Sequence, residues 1–365
     1  MNRRLFLQNA ALWPAAGLLA ADSTTLRKPS SNEEKAIRGI AEAFLAENGL
    51  LGFSIAFGSA GKIAFEEGYG FADAEKKEAV TSQHLFRIAS ISKPITATAV
   101  MMAVEKGLLK LDSTVFGPKG ILGETHGSGL PEKITAITVD HLLTHTSGGW
   151  ANDRNDPMFA DKAMTHDELI PWALKNGVQP DEPGKKYAYS NFGYCVLGRV
   201  LEKVTKLPYE ALLTQHVLPK CGISGMQIGG NTLAERRPLE VVYQMPEADA
   251  PYRMNVARMD SHGGWIATAG DLVRFASSLP KLLKEESIQT MTTPGLNAGY
   301  ARGWNVNSAP NWWHTGSLPG TTTILVHTAK GVCWAGLING RKEGLSGPLD
   351  ELMWKIGRVV KSWQI

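Results

Sequence analysis

The chain has 365 residues, of which 43% are hydrophobic and 20% are charged, and its formal net charge is +3 at pH 7. This length and apolar content suffice for a large domain with a proper core, which excludes disorder as a description of the whole chain. Neither a block of lysine and arginine nor a basic stripe with interleaved aromatic residues occurs, so we expect no nucleic-acid partner.

The first residues, MNRRLFLQNAALWPAAGLLAA, are typical of a signal peptide. Arg3 and Arg4 precede a short apolar run that ends in small residues near Ala20 and Ala21, and the pair resembles the twin-arginine export signal of bacteria. The run is too short for a comfortable membrane span, although an uncleaved anchor is the alternative. We therefore expect an exported protein, periplasmic or secreted, without a stable membrane anchor once residues 1–21 are cleaved.

The two ends of the remaining chain contain the same elements in opposite order. Residues 31–34 (SNEE) match a capping box, apolar residues with helical spacing follow, and Gly49 ends this helix. A hairpin then turns at residues 58–61. Toward the C-terminus a second hairpin turns at residues 329–331, and the apolar residues from Leu349 to Trp363 predict a final helix. An antiparallel sheet covered by these terminal helices satisfies both patterns.

The middle of the chain contains few strand signals and is broken by clusters of proline and glycine. We interpret residues 86–256 as a mostly helical inserted domain, and residues 31–85 and 257–365 as one α/β sandwich domain. The predicted fold class is α/β (α+β): an antiparallel sheet flanked by N- and C-terminal helices, with an all-helical insert.

Ser90, Ser92 and Lys93 lie at the start of an apolar stretch, FRIASISKPITATAVMMAVEKGLL, that predicts a buried helix. Ser90 and Lys93 form an S-x-x-K pattern, and residues three apart on a helix share a face. Desolvation favours the neutral form of a buried lysine, which can accept a proton from a neighbouring serine. Ser90 is therefore a candidate nucleophile; the alternative is an ordinary capped helix with a lysine that extends to solvent.

Tyr189 and Asn191 form the only Y-x-N pattern in the chain. A phenol and an amide two residues apart can share one face of a turn, where they offer a proton relay and a hydrogen-bond donor. The alternative is a simple turn before a helix that starts near Gly193.

A third segment, NWWHTGSLPG, predicts an edge of the sheet that leads into the C-terminal hairpin. A glycine here permits the close approach of another backbone or of a substrate, although an ordinary strand and turn are the alternative. The candidate residues of this segment are His314, Thr315, Gly316 and Ser317.

S-x-x-K, Y-x-N and H-T-G, in this order, resemble the motifs of the serine β-lactamase and penicillin-binding-protein superfamily. The tyrosine motif resembles that of the branch that contains class C β-lactamases, D-alanyl-D-alanine carboxypeptidases and related esterases. The stretches LLTHTSGG and GGWIATAGDLVRFASSL are similar to that branch too. The resemblance covers nearly everything after the signal peptide, and it implies an antiparallel α/β sandwich with a helical insert and the site between them.

The resemblance also implies roles for individual residues. Ser90 would be the acylated nucleophile, Lys93 would help to deprotonate it, and Tyr189 would act as general base or proton relay. Asn191 would bind the carbonyl side of the substrate. His314 and Thr315 would flank the substrate on the sheet side, and the backbone N–H groups of Ser90 and Ser317 would form the oxyanion hole.

One position departs from the usual pattern of β-lactamases, which carry a lysine where this chain has His314. Histidine ordinarily titrates near neutrality, so a permanent positive charge is replaced by a group that can be neutral. This lowers the expectation of efficient β-lactam turnover.

His141 and His145 form an H-x-x-x-H pattern, but no H-E-x-x-H occurs, so we expect these residues to be structural rather than zinc ligands. The sequence therefore predicts an exported serine hydrolase without metal or cofactor that cleaves a D-amino-acid peptide, a small ester or a β-lactam. Its partner would be a small-molecule or peptide substrate, and the oligomeric state stays open. The alternative is a non-catalytic penicillin-binding or cell-wall-binding protein on the same scaffold.

Overall fold

The structure is a computed structural model that describes residues 25–177 and 181–365. The predicted signal peptide lies outside these residues. No helix within them is long and apolar enough to cross a membrane. Their strands are β1 (Gly52–Ser59), β2 (Lys62–Asp73), β3 (Glu78–Ala79), β4 (Phe86–Arg87), β5 (Gln227–Ile228), β6 (Trp265–Ala267), β7 (Asn305–Val306), β8 (Trp312–Leu318), β9 (Thr321–His327) and β10 (Val332–Ile338).

The main sheet joins the two ends of the chain. Its seven strands have the order β3-β2-β1-β10-β9-β8-β7, and every neighbouring pair is antiparallel. The first strand pairs directly with the last, with Phe53 opposite Ile338. Both predicted hairpins are confirmed, because β1 and β2 are separated only by residues 60 and 61, and β9 and β10 by residues 328–331.

Helices cover both faces of this sheet. The α-helices of the described residues are α1 (Ser31–Asn48), α2 (Ser92–Glu105), α3 (Glu132–Thr135), α4 (Val139–Leu143), α5 (His166–Asn176), α6 (Asn191–Thr205), α7 (Tyr209–His216), α8 (Ala269–Ser277), α9 (Leu279–Leu282), α10 (Glu285–Thr292) and α11 (Ser346–Gly357). Of these, α1 and α11 lie on one face of the sheet and α8 on the other.

Successive side chains of a strand face opposite sides of the sheet, and β1 follows this alternation. Phe53 and Ile55 belong to the apolar core under α1 and α11, whereas Ala56 belongs to the core that includes Leu272 of α8. The antiparallel α/β fold with terminal helices is therefore confirmed.

Two boundaries differ from the sequence prediction. The N-cap of α1 is Ser30, one residue earlier than predicted, and its capping box is completed by Glu33. The final helix α11 ends at Gly357 rather than continuing to Trp363. Val360 and Trp363 are nevertheless buried in the same core, because a 3-10 turn after the helix places them there without a continuous helix.

The chain between β4 and β6 contains α2 to α7 and, among its described residues, the two-residue strand β5. A small sheet of order β4-β6-β5 connects this stretch to the strand that precedes α8. The exact domain boundaries at residues 85/86 and 256/257 stay a prediction. Between β4 and α2 lies a 3-10 helix, Ala89–Ile91, which contacts β8 and β9 of the main sheet.

Candidate active site

Ser90 lies in a short 3-10 helix, Ala89–Ile91, and α2 begins two residues later at Ser92. Ser90 therefore does not begin the long helix itself but lies in the tight turn that precedes it. Its side chain is partly exposed at the N-terminal end of α2. Ala89 has a φ of +49°, a conformation that residues other than glycine adopt rarely and mostly at constrained sites. Ser92 is fully buried, and its hydroxyl has no hydrogen-bond partner within the described residues.

Strand β9 holds the backbone immediately before Ser90. The Thr323 hydroxyl donates to the carbonyl oxygen of Ile88 at 3.0 Å, and the Thr321 hydroxyl donates to that of Arg87 at 2.9 Å. Both threonine side chains are buried, so these hydrogen bonds are shielded from water. The nucleophile candidate is thus fixed to the sheet rather than carried on a free loop.

Lys93 has no exposed surface, and its Nζ has three polar neighbours. They are Ser90 Oγ at 3.2 Å, Asn191 Oδ1 at 2.8 Å and the backbone oxygen of His262 at 3.0 Å. Burial lowers the pKa of Lys93 to about 7, and the carboxylate of Asp156 partly opposes this change. A lysine with this pKa exists in both protonation states near neutral pH.

These three neighbours suit both states of the amine. A protonated Lys93 has three N–H donors, one for each oxygen. A neutral Lys93 has two donors and one lone pair, and the two amide-type oxygens of Asn191 and His262 can only accept. The lone pair of the neutral amine is therefore left for Ser90, whose hydroxyl can donate a hydrogen bond to it.

Tyr189 and Asn191 reach the same point from the start of α6, which begins at Asn191 rather than near Gly193. Ser190 is its N-cap and accepts from the N–H of Gly193 at 3.0 Å. The Tyr189 phenol interacts with the Ser90 side chain, and its ring centroid lies 4.8 Å from Lys93 Nζ. Burial raises the pKa of Tyr189 well above its ordinary value, so its phenol stays protonated at neutral pH.

His314 lies on β8 and is buried, with 3% of its surface exposed. Its Nδ1 donates to the carbonyl oxygen of Thr315 at 2.7 Å, so its Nε2 is the acceptor for the Tyr300 hydroxyl at 3.2 Å. Burial lowers the pKa of His314 to about 3, helped by the nearby charge of Lys93. Burial therefore favours the neutral imidazole at this position, rather than the titration near neutrality that is ordinary for histidine.

Gly316 permits β8 to lie against the backbone before Ser90. A Cβ atom at this position would come within 2.2 Å of the Ile88 oxygen and 2.3 Å of Thr323 Oγ1. Ser317, one residue further along, is exposed. The close approach predicted for the glycine is present, and it brings β8 beside the nucleophile candidate.

Strand β8 has a free edge on the side of the site. Among the residues that the structure describes, β7 pairs there with residues 312 and 313 only, and the side-chain amide of Asn305 on β7 donates to the backbone oxygen of Trp313 at 3.3 Å. Backbone groups of alternate residues face the same edge of a strand. The N–H groups of Thr315 and Ser317 therefore face that open edge, as an oxyanion donor at Ser317 requires.

Four residues of the site belong to none of the motifs that the sequence offered. Asn152 and Asp156 both accept from the amide nitrogen of Asn191, at 3.1 and 2.7 Å. His262 contributes through its backbone oxygen, which any residue could supply, and Tyr300 contacts the site through His314. Asp156 and Asn152 follow the LLTHTSGG stretch closely, which was the one available hint.

The two histidines of the H-x-x-x-H pattern have structural contacts. His141 accepts from the N–H of Thr138 at 3.2 Å in the capping box of α4, and His145 accepts from the N–H of Ser190 at 3.1 Å. Within residues 25–177 and 181–365, no group of three or more histidine, cysteine or acidic side chains is placed to hold a metal ion.

The profile of the family described as Beta-lactamase matches residues 37–356. Penicillin-binding protein 4* of Bacillus subtilis (strain 168) is 24% identical over 296 residues, which cover 73% of this chain and 63% of that protein. Protein flp of Staphylococcus aureus (strain MW2) is 24% identical over 318 residues, which cover 82% of this chain and 62% of that protein. The matches thus span less than two thirds of the length of these relatives.

Solved structures share the fold. The D-amino acid amidase from Ochrobactrum anthropi SV3 has a TM-score of 0.76 and 24% identity, and the match covers 92% of this chain and 100% of the amidase. The D-alanine carboxypeptidase AmpC from Burkholderia cenocepacia has a TM-score of 0.68 and 21% identity, with 92% and 99% covered. Because the family profile matches most of the chain and the folds agree, the protein belongs to the β-lactamase family.

Proposed function

We propose that this protein is an exported serine hydrolase that cleaves an amide or an ester through an acyl-enzyme on Ser90. One observation carries the proposal: the fully buried amine of Lys93, with a pKa of about 7, lies 3.2 Å from Ser90 Oγ. Burial of an amine costs solvation free energy that packing alone does not explain, and the lowered pKa suits a base that works near neutral pH. Export rests on the twin arginine of the sequence, Arg3 and Arg4.

In the proposed reaction, neutral Lys93 takes the hydroxyl proton of Ser90 as Oγ attacks the substrate carbonyl. The N–H groups of Ser90 and Ser317 stabilise the oxyanion that forms. The Tyr189 phenol gives its proton to the leaving amine or alcohol and recovers one from protonated Lys93. Water then attacks the acyl carbon and gives a proton to Lys93. The lysine passes this proton to Ser90 Oγ as the acyl–oxygen bond breaks and the acid is released. Since its pKa is raised, Tyr189 acts here as proton relay, and Lys93 is the base.

Neutral His314 favours some substrates over others. A substrate carboxylate at β8 would meet an uncharged imidazole there rather than a lysine ammonium. We therefore favour an amide or ester without a carboxylate beside the scissile bond over a β-lactam, which carries one. The similarity to a protein named as a D-amino acid amidase supports an amide of a D-amino acid as the first candidate.

The test is a panel of substrates incubated with the mature protein: D-phenylalanine amide, L-phenylalanine amide, p-nitrophenyl butyrate and a penicillin. We expect turnover of the D-amide or the ester, weak turnover of the penicillin, and no turnover of any by Ser90→Ala. Activity that survives Ser90→Ala would overturn the proposal. A penicillin adduct on Ser90 without turnover of any substrate would favour a penicillin-binding protein, the function named for one relative.

A further inference from the structure

Asp156 is a buried carboxylate beside the proposed catalytic residues. Only 3% of its surface is exposed, and both of its oxygens are engaged. Oδ1 accepts from the backbone N–H of Met158 at 2.9 Å, and Oδ2 accepts from the Asn191 amide nitrogen at 2.7 Å. The first contact caps a 3-10 turn, as an aspartate often does, but the second points into the site.

The second contact fixes the orientation of the Asn191 side chain. An ionised carboxylate can only accept, so it requires the nitrogen end of the amide. The oxygen of Asn152 accepts from the same nitrogen at 3.1 Å. The Oδ1 atom of Asn191 is then left for Lys93, at 2.8 Å. A flipped amide would place its oxygen against the carboxylate and its nitrogen against the lysine, which would lose both hydrogen bonds.

We propose that Asp156 is a positioning residue for the reaction: through the Asn191 amide it holds Lys93 beside Ser90, and its charge favours the protonated lysine. This inference rests on the proposed function, because positioning matters only if Lys93 acts as the base. These contacts link four side chains from carboxylate to amide to amine to hydroxyl, and the successive side chains are 35, 98 and 3 residues apart in the sequence.

Charged and titratable groups around Asp156 set the expected sign. Lys93 attracts the carboxylate, and Asp153 repels it. Tyr189 and Cys195 also lie within its field, and both are protonated at neutral pH because burial raises the pKa of each. Burial raises the pKa of Asp156 to about 6, so the carboxylate is largely ionised above neutral pH. Removal of its charge should lower the pKa of Lys93.

The experiment compares Asp156→Asn, Asp156→Ala and Asp153→Asn with the wild type. Asparagine at position 156 can still accept from the Asn191 amide but carries no charge, whereas alanine removes both effects. Asp153 is an exposed carboxylate nearby that contacts a turn and not Asn191, so its variant is the matched control. Two quantities are measured: kcat/KM against pH with the best substrate of the panel, and the titration of Lys93 by 13C NMR of labelled lysine.

For Asp156→Ala we expect kcat/KM at pH 8 to fall about tenfold to a hundredfold, mainly through kcat, as a misplaced base predicts. Asp156→Asn should lose less. In both variants the Lys93 titration and the acidic limb of kcat/KM should move to lower pH. Asp153→Asn, which only relieves a repulsion of the Asp156 carboxylate, should move neither to lower pH. If Asp156 served only as the cap of its 3-10 turn, its replacement would lower thermal stability but leave the Lys93 titration unchanged.

Unchanged kcat and an unchanged Lys93 titration in both Asp156 variants would overturn the inference. Should Asp156→Ala fail to fold, Asp156→Asn decides by the same two readouts. If the wild type is never acylated at Ser90, the proposed function fails, while the NMR titration still shows whether Asp156 acts on Lys93. The two failures are thus distinguishable.

Discussion

The Nζ atom of Lys93 lies 3.2 Å from the Oγ atom of Ser90, and no part of the lysine side chain is exposed. Burial penalises the ammonium form, and the hydroxyl is the one neighbour that can donate to a neutral amine. The pair thus has the geometry and the protonation balance of a base with its nucleophile.

Replacement of Lys93 by alanine should lower kcat/KM by about two to four orders of magnitude, the usual contribution of a general base. The matched control is Lys106→Ala, which removes an exposed lysine just after α2 and should leave kcat/KM unchanged. Steady-state kinetics on the substrate that the panel identifies would decide this. A Lys93→Ala enzyme within threefold of the wild type would show that the base lies elsewhere.

The pH profile of kcat/KM should rise through about pH 7, because Lys93 must lose its proton to accept one from Ser90 and its pKa is about 7. His314 should add no step between pH 5 and pH 8, since burial lowers its pKa to about 3. Initial rates from pH 5 to pH 9 in buffers of constant ionic strength test both statements. A flat profile down to pH 5 would contradict the role of Lys93.

Gly316→Ala should impair both activity and stability. The added methyl group meets backbone and side-chain oxygens at 2.2 and 2.3 Å, so β8 must move away from the segment before Ser90. We expect kcat/KM to fall by more than about tenfold, as even small misplacements of a site do. In contrast, Gly347→Ala in α11 adds a methyl group to open space and should be neutral or slightly stabilising. Equal behaviour of the two variants would argue against the packing described here.

Tyr300→Phe should lower the free energy of unfolding by about 1–3 kcal/mol, because it leaves the buried Nε2 of His314 without its donor. The control is Tyr69→Phe. The Tyr69 hydroxyl is buried and has no hydrogen-bond partner within the part of the chain that the structure describes, so its removal should be neutral or stabilising. Urea unfolding at pH 7 measures both. A Tyr300→Phe protein as stable as the wild type would mean that His314 finds another donor.

The sequence predicted the parts of the site that depend on local spacing. Ser90 and Lys93 are three residues apart, and Tyr189 and Asn191 two apart, so short-range geometry largely determines how each pair is presented. The antiparallel fold followed in the same way from alternating strands and terminal helices. These features need no knowledge of distant contacts.

What the sequence could not provide are contacts between distant segments. The third partner of Lys93 is a backbone oxygen, that of His262, which has no side-chain signature. In the sequence, Asp156 is indistinguishable from an ordinary loop aspartate. Only the fold shows that the Asn191 side chain, at the start of α6, lies 2.7 Å from its carboxylate. The neutrality of His314 depends on its burial beside Tyr300, and the burial of a strand residue cannot be inferred from the residues next to it in the sequence.

The most direct test of the central claim is the intact mass of the mature protein after reaction with a fluorophosphonate, which labels activated serines. We expect one adduct, mapped by peptide digestion to Ser90. Ser90→Ala should stay unlabelled, while Ser92→Ala, which removes the buried serine two residues away, should still be labelled. An adduct on Ser90→Ala, or no adduct on a folded wild-type protein, would contradict the assignment of Ser90 as nucleophile.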